Sequence, residues 1–135
     1  MGMEWEILQE VNFTIPSIPP SVNTIYYVIF SQKRIEMKPE VRTWKTQAKE
    51  IIPLLKPHED SCFFKLDLIF YYNFFFKNGK IRKFDSQNLI KILCDAIAEK
   101  NGFKDELIKF GSWESYHSEN REYVDCSLKQ IGGAL

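Results

Sequence analysis

The chain has 135 residues, 44% hydrophobic and 15% aromatic, with 18 basic and 18 acidic side chains and a formal net charge of zero. That suffices for one compact domain with a real core, is too short for two ordinary domains, and is too apolar for wholesale disorder. Zero net charge counts mildly against a nucleic-acid partner.

In chain order, residues 4–15 read as a first strand, stopped by Pro16 and the Pro19-Pro20 pair. Residues 20–38 are expected to form a loop with a short extended piece around 26–30. Pro39 suits the first turn of a helix. Beyond it Val41, Trp44, Ala48, Ile51 or Ile52, and Leu55 recur at helical spacing, with Arg42, Lys45 and Lys49 on another face. Pro53 ends or kinks this helix. Residues 62–76 predict a long strand, with Phe64, Leu66, Leu68, Phe70 and Tyr72 on one face and Lys65, Asp67 and Ile69 on the other. Asn78-Gly79 then turns the chain.

The next helix, 86–100, is amphipathic. Leu89, Ile90, Leu93 and Ile97 gather on one side, and Asn88, Lys91 and Asp95 form a stripe nearly opposite. Asn101-Gly102 is a natural stop. Two strands follow, at 108–116 and 122–131, and residues 132–135 read as a loose tail. The order β, loop, α, β, α, β, β predicts an α+β fold: two main helices on a mixed four- to five-stranded sheet, one domain over 1–131.

Cys62, Cys94 and Cys126 have no Cys-x-x-Cys spacing, which argues against a disulfide framework or a zinc site and for buried or partly buried thiols. A reducing cytoplasm is the default expectation. The first five residues lack the basic start and apolar core of a signal peptide, and the greasiest stretch, 62–76, is too short and too polar to span a bilayer. Neither a dinucleotide fingerprint nor a phosphate-cradling glycine loop is present, so no nucleotide cofactor is expected. His58 and His117 lack a partner pattern.

Charge is unevenly spread. Between residues 32 and 49 six basic residues face two acids, a net of +4, and between 77 and 109 eight face five, a net of +3. The acids of the second region are the candidate metal ligands, and a bound divalent ion would turn the local field more positive.

The most informative segment is Asp85-Ser-Gln87-Asn88-Leu-Ile-Lys91-Ile-Leu-Cys-Asp95-Ala, followed ten residues on by Asp105-Glu106-Leu-Ile108. It sets carboxylates at the two ends of one helix with a lysine and an asparagine between. Oxygen ligands beside a lysine are what a magnesium-dependent phosphodiesterase needs.

The pattern Asp-x-x-Asn-x-x-Lys-x-x-x-Asp-Ala, a short gap and Asp-x-x-Ile resembles the core of the RusA-type Holliday junction resolvases. Ile18-Pro-Pro-Ser21-Val-Asn23-Thr-Ile-Tyr26 resembles that family's Pro-Pro-Ser-x-Asn-x-x-Tyr opening. Order and spacing agree over roughly residues 7–131. The resemblance implies a homodimer with two active sites for two opposed strands of branched DNA. It implies a magnesium-dependent endonuclease (manganese substituting) of DNA recombination and repair, cytoplasmic and nucleoid-associated, in a family frequent in prophages.

It also implies roles. Asp85 and Asp105 are the metal-binding catalytic acids, though an aspartate at 85 also suits a helix N-cap and one at 105 a solvated loop. Lys91 stabilises the scissile phosphate, or is a surface lysine paired with Asp95. Asp95 orients Lys91, Asn88 supports the site by hydrogen bonds, and Glu106 is an alternative ligand. Asn23 lies in a loop near the DNA-binding face. Lys33, Arg34, Arg42, Lys45, Lys80, Arg82 and Lys83 are candidate DNA-backbone contacts, each equally readable as a solvated charge.

Gln87 departs from the family, where an acid commonly stands. Glutamine offers a neutral carbonyl and removes one negative charge. Two rival readings therefore stand beside the resolvase: a junction-binding protein with a weakened site, and a dimeric interaction module that uses the aromatic strand and no DNA.

Overall fold

The computed structural model describes residues 4–20, 26–55, 62–82 and 86–134. Strand alternation and helical periodicity produce an α+β fold. Its elements are β1 (Glu4–Ile15), β2 (Tyr26–Ile29), β3 (Arg34–Met37), α1 (Pro39–Ile51), β4 (Cys62–Tyr72), α2 (Ser86–Asn101), β5 (Ile108–His117) and β6 (Tyr123–Ala134). Four strands form a mixed sheet in the order β1-β6-β4-β5, and β2 pairs antiparallel with β3 in a separate hairpin. Only β4 and β5 run parallel, because α2 carries the chain from the end of one to the start of the other.

One face of the sheet is buried beneath both helices. Leu66, Leu68 and Phe70 of β4 meet Val124, Cys126 and Leu128 of β6 there, and Val41, Ala48, Ile92, Leu93 and Ile97 close over them from the helices. The alternation along β4 is the one expected from the sequence, with even positions buried from Phe64 to Tyr72. It follows from having one face in the core and one outside.

The extended piece expected around 26–30 is present as β2, and within the segment expected as loop it pairs with β3 in a hairpin. The expectation for the C-terminal end is corrected. Residues 132–134 are not a loose tail: β6 continues through them and pairs with the start of β1, Glu4 opposite Ala134 and Glu6 opposite Gly132. A bulge between Ile7 and Gln9 disturbs that register, and Leu8 packs over Gly132 so closely that an added Cβ would lie 2.7 Å from its Cδ1. Gly132 thus serves packing against Leu8 within a paired strand.

Strand β4 also stops earlier than residue 76. Past Tyr72 the chain makes a small hairpin with Phe75 opposite Ile81 and the turn at Asn78-Gly79. At the far end of α2, the Gly102 and Phe103 amides both donate to the Ala98 carbonyl, which ends the helix where Asn101-Gly102 predicts. The Asn101 side chain accepts from the Leu55 amide at 2.8 Å and donates to the Ile97 carbonyl at 3.1 Å, tying the segment after α1 to this terminus. All three cysteines are free, Cys94 and Cys126 buried and Cys62 partly so. No described helix is long and apolar enough to cross a membrane.

Candidate active site

The polar stripe of α2 and the single-turn helix that follows it build the site. Lys91 and Asp95 lie one turn apart on α2, and Asp105 begins the turn Asp105–Leu107 that leads into β5. The short link after Asn101 folds back, so that Asp95 and Asp105 line one cleft. Burial, then the neighbouring carboxyl group and charge of Asp105, push Asp95 from 3.8 up to about 6, against the pull of Lys45 and Lys91.

Lys45 reaches the same place from α1. Only 5% of it is exposed, and its ammonium donates to Glu99 Oε1 at 2.7 Å. Lys49 pairs with the other oxygen of Glu99. Burial works against ionisation of Glu99, but the hydrogen bonds from Lys45 and Lys49 outweigh it and hold that carboxyl below its usual range. A small cleft of about 300 Å³ lies here, lined by Met37, Lys45, Asp95, Glu99 and Asp105 among others. Asp105 also borders a larger cavity of about 630 Å³ on its other side, with Gln87, Ile90, Lys91, Glu106, Phe110 and Trp113 in its wall.

The structure thus brings Lys91, Asp95, Asp105, Glu106 and Gln87 around one region. Asn88 lies half-buried on the same helix. Asp85, Asn23 and Lys83 lie outside the described residues. Among the described residues no three His, Cys, Asp or Glu side chains converge. The Asp95–Asp105 pair still fits a hard divalent cation in kind: oxygen donors only, and like charges that a cation would relieve.

The role expected for Asp95 is enlarged. It feels Lys91, but it also lies beside Asp105 on one cleft, which makes it part of an acid pair. Lys45 is corrected. It is no exposed DNA contact but a buried cation beneath the acids, because Glu99 on the facing helix neutralises it. Of the other basic candidates, Lys33, Arg42 and Lys80 are exposed. Arg34 pairs with Glu36 at 2.6 Å, and Arg82 pairs with Glu122 at 3.2 Å and donates to the Asn73 carbonyl at 3.0 Å. The sequence carried a signal for Lys45: it neighbours Trp44, on the border of the apolar stripe. Nothing in it placed Glu99 opposite.

No protein-family model and no curated protein matches this chain.

Proposed function

We propose that the chain is a homodimeric, magnesium-dependent endonuclease that cuts four-way DNA junctions. The observation that carries the reading is the placement of Asp95 and Asp105 on one cleft, with Lys91 one helical turn from Asp95 and on the cavity that Asp105 also borders. Neighbouring carboxylates, one of them half-buried, repel each other, and a phosphodiesterase has a use for that arrangement once a cation is bound. The resemblance to RusA-type resolvases supports the same assignment.

Asp105 and Asp95, with Glu106 beside them and Asp85 as the family's further acid, would hold the ion. The bound ion supplies Lewis acidity toward a phosphate oxygen and toward attacking water. The chain's own groups do the rest. The Lys91 ammonium, on the wall of the adjoining cavity, would stabilise the charge that a non-bridging phosphate oxygen gains in the transition state. Lys45 and Lys49 neutralise Glu99, and Lys45 supplies positive charge beside the acid pair. Exposed Lys33, Arg42 and Lys80 add salt-sensitive attraction for the DNA backbone. Hydrolysis would leave a 5′-phosphate and a 3′-hydroxyl.

The test is an Asp105→Asn variant at matched junction occupancy in magnesium. The reading expects binding within a fewfold of the parent and nicking lost by at least a hundredfold. Equal nicking by both proteins would refute the site.

One observation favours a second reading. Gln87 contributes a neutral amide to the cavity wall where a carboxylate would strengthen cation binding. A protein that binds junctions but turns over weakly would show this as a gain: Gln87→Asp would then cut faster than the parent at low magnesium.

A further inference from the structure

Strand β5 contains a feature the proposed chemistry does not use. Its register against β4 slips between two pairs: Phe110 lies opposite Leu66, and Trp113 opposite Leu68, so Gly111 and Ser112 together span the single residue Asp67. In a regular strand Phe110 and Trp113 would point to opposite faces. The bulge resets the alternation and turns both rings to the helix side, since Leu66 and Leu68 face the core.

The bulge is firmly held. Asp67 Oδ1 accepts from the Ser112 amide at 2.7 Å and from the Ser112 hydroxyl at 3.0 Å. Any side chain at Gly111 would collide with this carboxylate, because a Cβ there would stand 2.1 Å from the same oxygen. Nothing in the core rewards the device. Phe110 and Trp113 stay 55% and 48% exposed, at the edge of the sheet beyond the cover of α2. They border the 630 Å³ cavity whose opposite rim is Gln87, Lys91, Asp105 and Glu106.

Two flat aromatic side chains therefore stand on the same face of one edge strand, half in solvent, and line a single cavity with a lysine, an amide and the acids. Ring faces suit the π-face of a nucleobase irrespective of sequence. Lys91 suits the phosphate attached to it, while the Gln87 amide and Glu106 carboxylate offer a donor and acceptors to a base edge. The cavity is within the size range of small-ligand sites. We propose that Phe110 and Trp113 form a stacking platform that receives one unstacked nucleobase next to the phosphate to be cut. This rests on the DNA-cleaving reading above. It adds that the enzyme takes a base out of the stack, which is cheapest at a branch point where pairing is already interrupted.

The experiment uses four-way junctions carrying a single abasic nucleotide stepped across the three positions on either side of the cut. Each is bound and cleaved by the parent, by Trp113→Ala and by the conservative Trp113→Phe. The expected result is a loss of about tenfold in the parent at one position, the scale of one base–aromatic stack. Trp113→Phe should keep that loss, and Trp113→Ala should lack it while binding the intact junction about tenfold more weakly. Far-UV circular dichroism confirms that the variants fold. An intact junction bound and cut with no abasic position mattering would overturn the platform and leave the nuclease standing. So would an abasic loss of equal size in all three proteins. A parent that neither binds nor cuts the intact junction would overturn the nuclease reading and the platform with it.

Discussion

Asp95→Asn should make the protein more stable at neutral pH while damaging its site. The Asp95 carboxyl titrates near 6 in the folded chain against 3.8 unfolded, chiefly because it is buried and also because Asp105 lies beside it. An acid with a raised folded value binds its proton more tightly in the native state. Its ionisation therefore favours unfolding, and the effect grows as pH rises from about 3.8 through about 6 and is constant above. A shift of this size corresponds to about 3 kcal/mol, which the partial exposure of the group and solvent screening reduce to about 1–2 kcal/mol. Asparagine avoids the charge and can still donate to Asp105. Urea unfolding in chelator at pH 7.5 should show a gain of about 1–2 kcal/mol, falling to about a third of that at pH 4.5. No gain at pH 7.5, or a gain that increases on acidification, would refute the description of the acid pair.

Other consequences concern packing and charge. Glu99→Ala leaves the Lys45 ammonium buried beside Asp95 with its main partner gone and should cost about 2–3 kcal/mol in urea unfolding, whereas Lys45→Met should cost about 1 kcal/mol or less. A larger loss from Lys45→Met would contradict the assignment of Glu99 as the neutralising group. Leu93→Ala removes a fully buried α2 side chain between helix and sheet and should cost about 2–5 kcal/mol, a large share of a typical domain's stability. Gly111→Ala should cost about 1–3 kcal/mol by forcing the bulge off Asp67. Combined with Asp67→Ala it should cost clearly less than the two separate losses added, as a double-mutant cycle would read.

Much of the fold is legible in the chain because one sheet face is buried. The alternation of Phe64, Leu66, Leu68 and Phe70 leaves a single register that hides them, and the apolar side of α2 has a single face to cover. Of the β2–β3 hairpin only the first half is legible, as a short extended piece. Val28, Phe30 and Ile35 are exposed, so no burial pattern marks it. The continuation of β6 through Gly132 depends on where Leu8 lands after a bulge in a strand more than a hundred residues away, which composition cannot show. The site divides the same way. Asp105, Lys91 and Asp95 stand out by type and spacing. The partnership of Asp95 with Asp105 and the burial of Lys45 under Glu99 are tertiary facts, set by the link after Asn101 and by the packing of α1 on α2. Phe110 and Trp113 looked like ordinary strand residues, although Gly-Ser between two aromatics is the kind of interruption that marks a bulge.

The central claim is cleavage of branched DNA, and a synthetic mobile four-way junction incubated with pure protein in magnesium, beside linear duplex of the same arms, tests it most directly. The account predicts paired, symmetric nicks across the junction with ligatable 5′-phosphate and 3′-hydroxyl ends, and none in the duplex. Junction and duplex left equally intact, or cut equally, would contradict it.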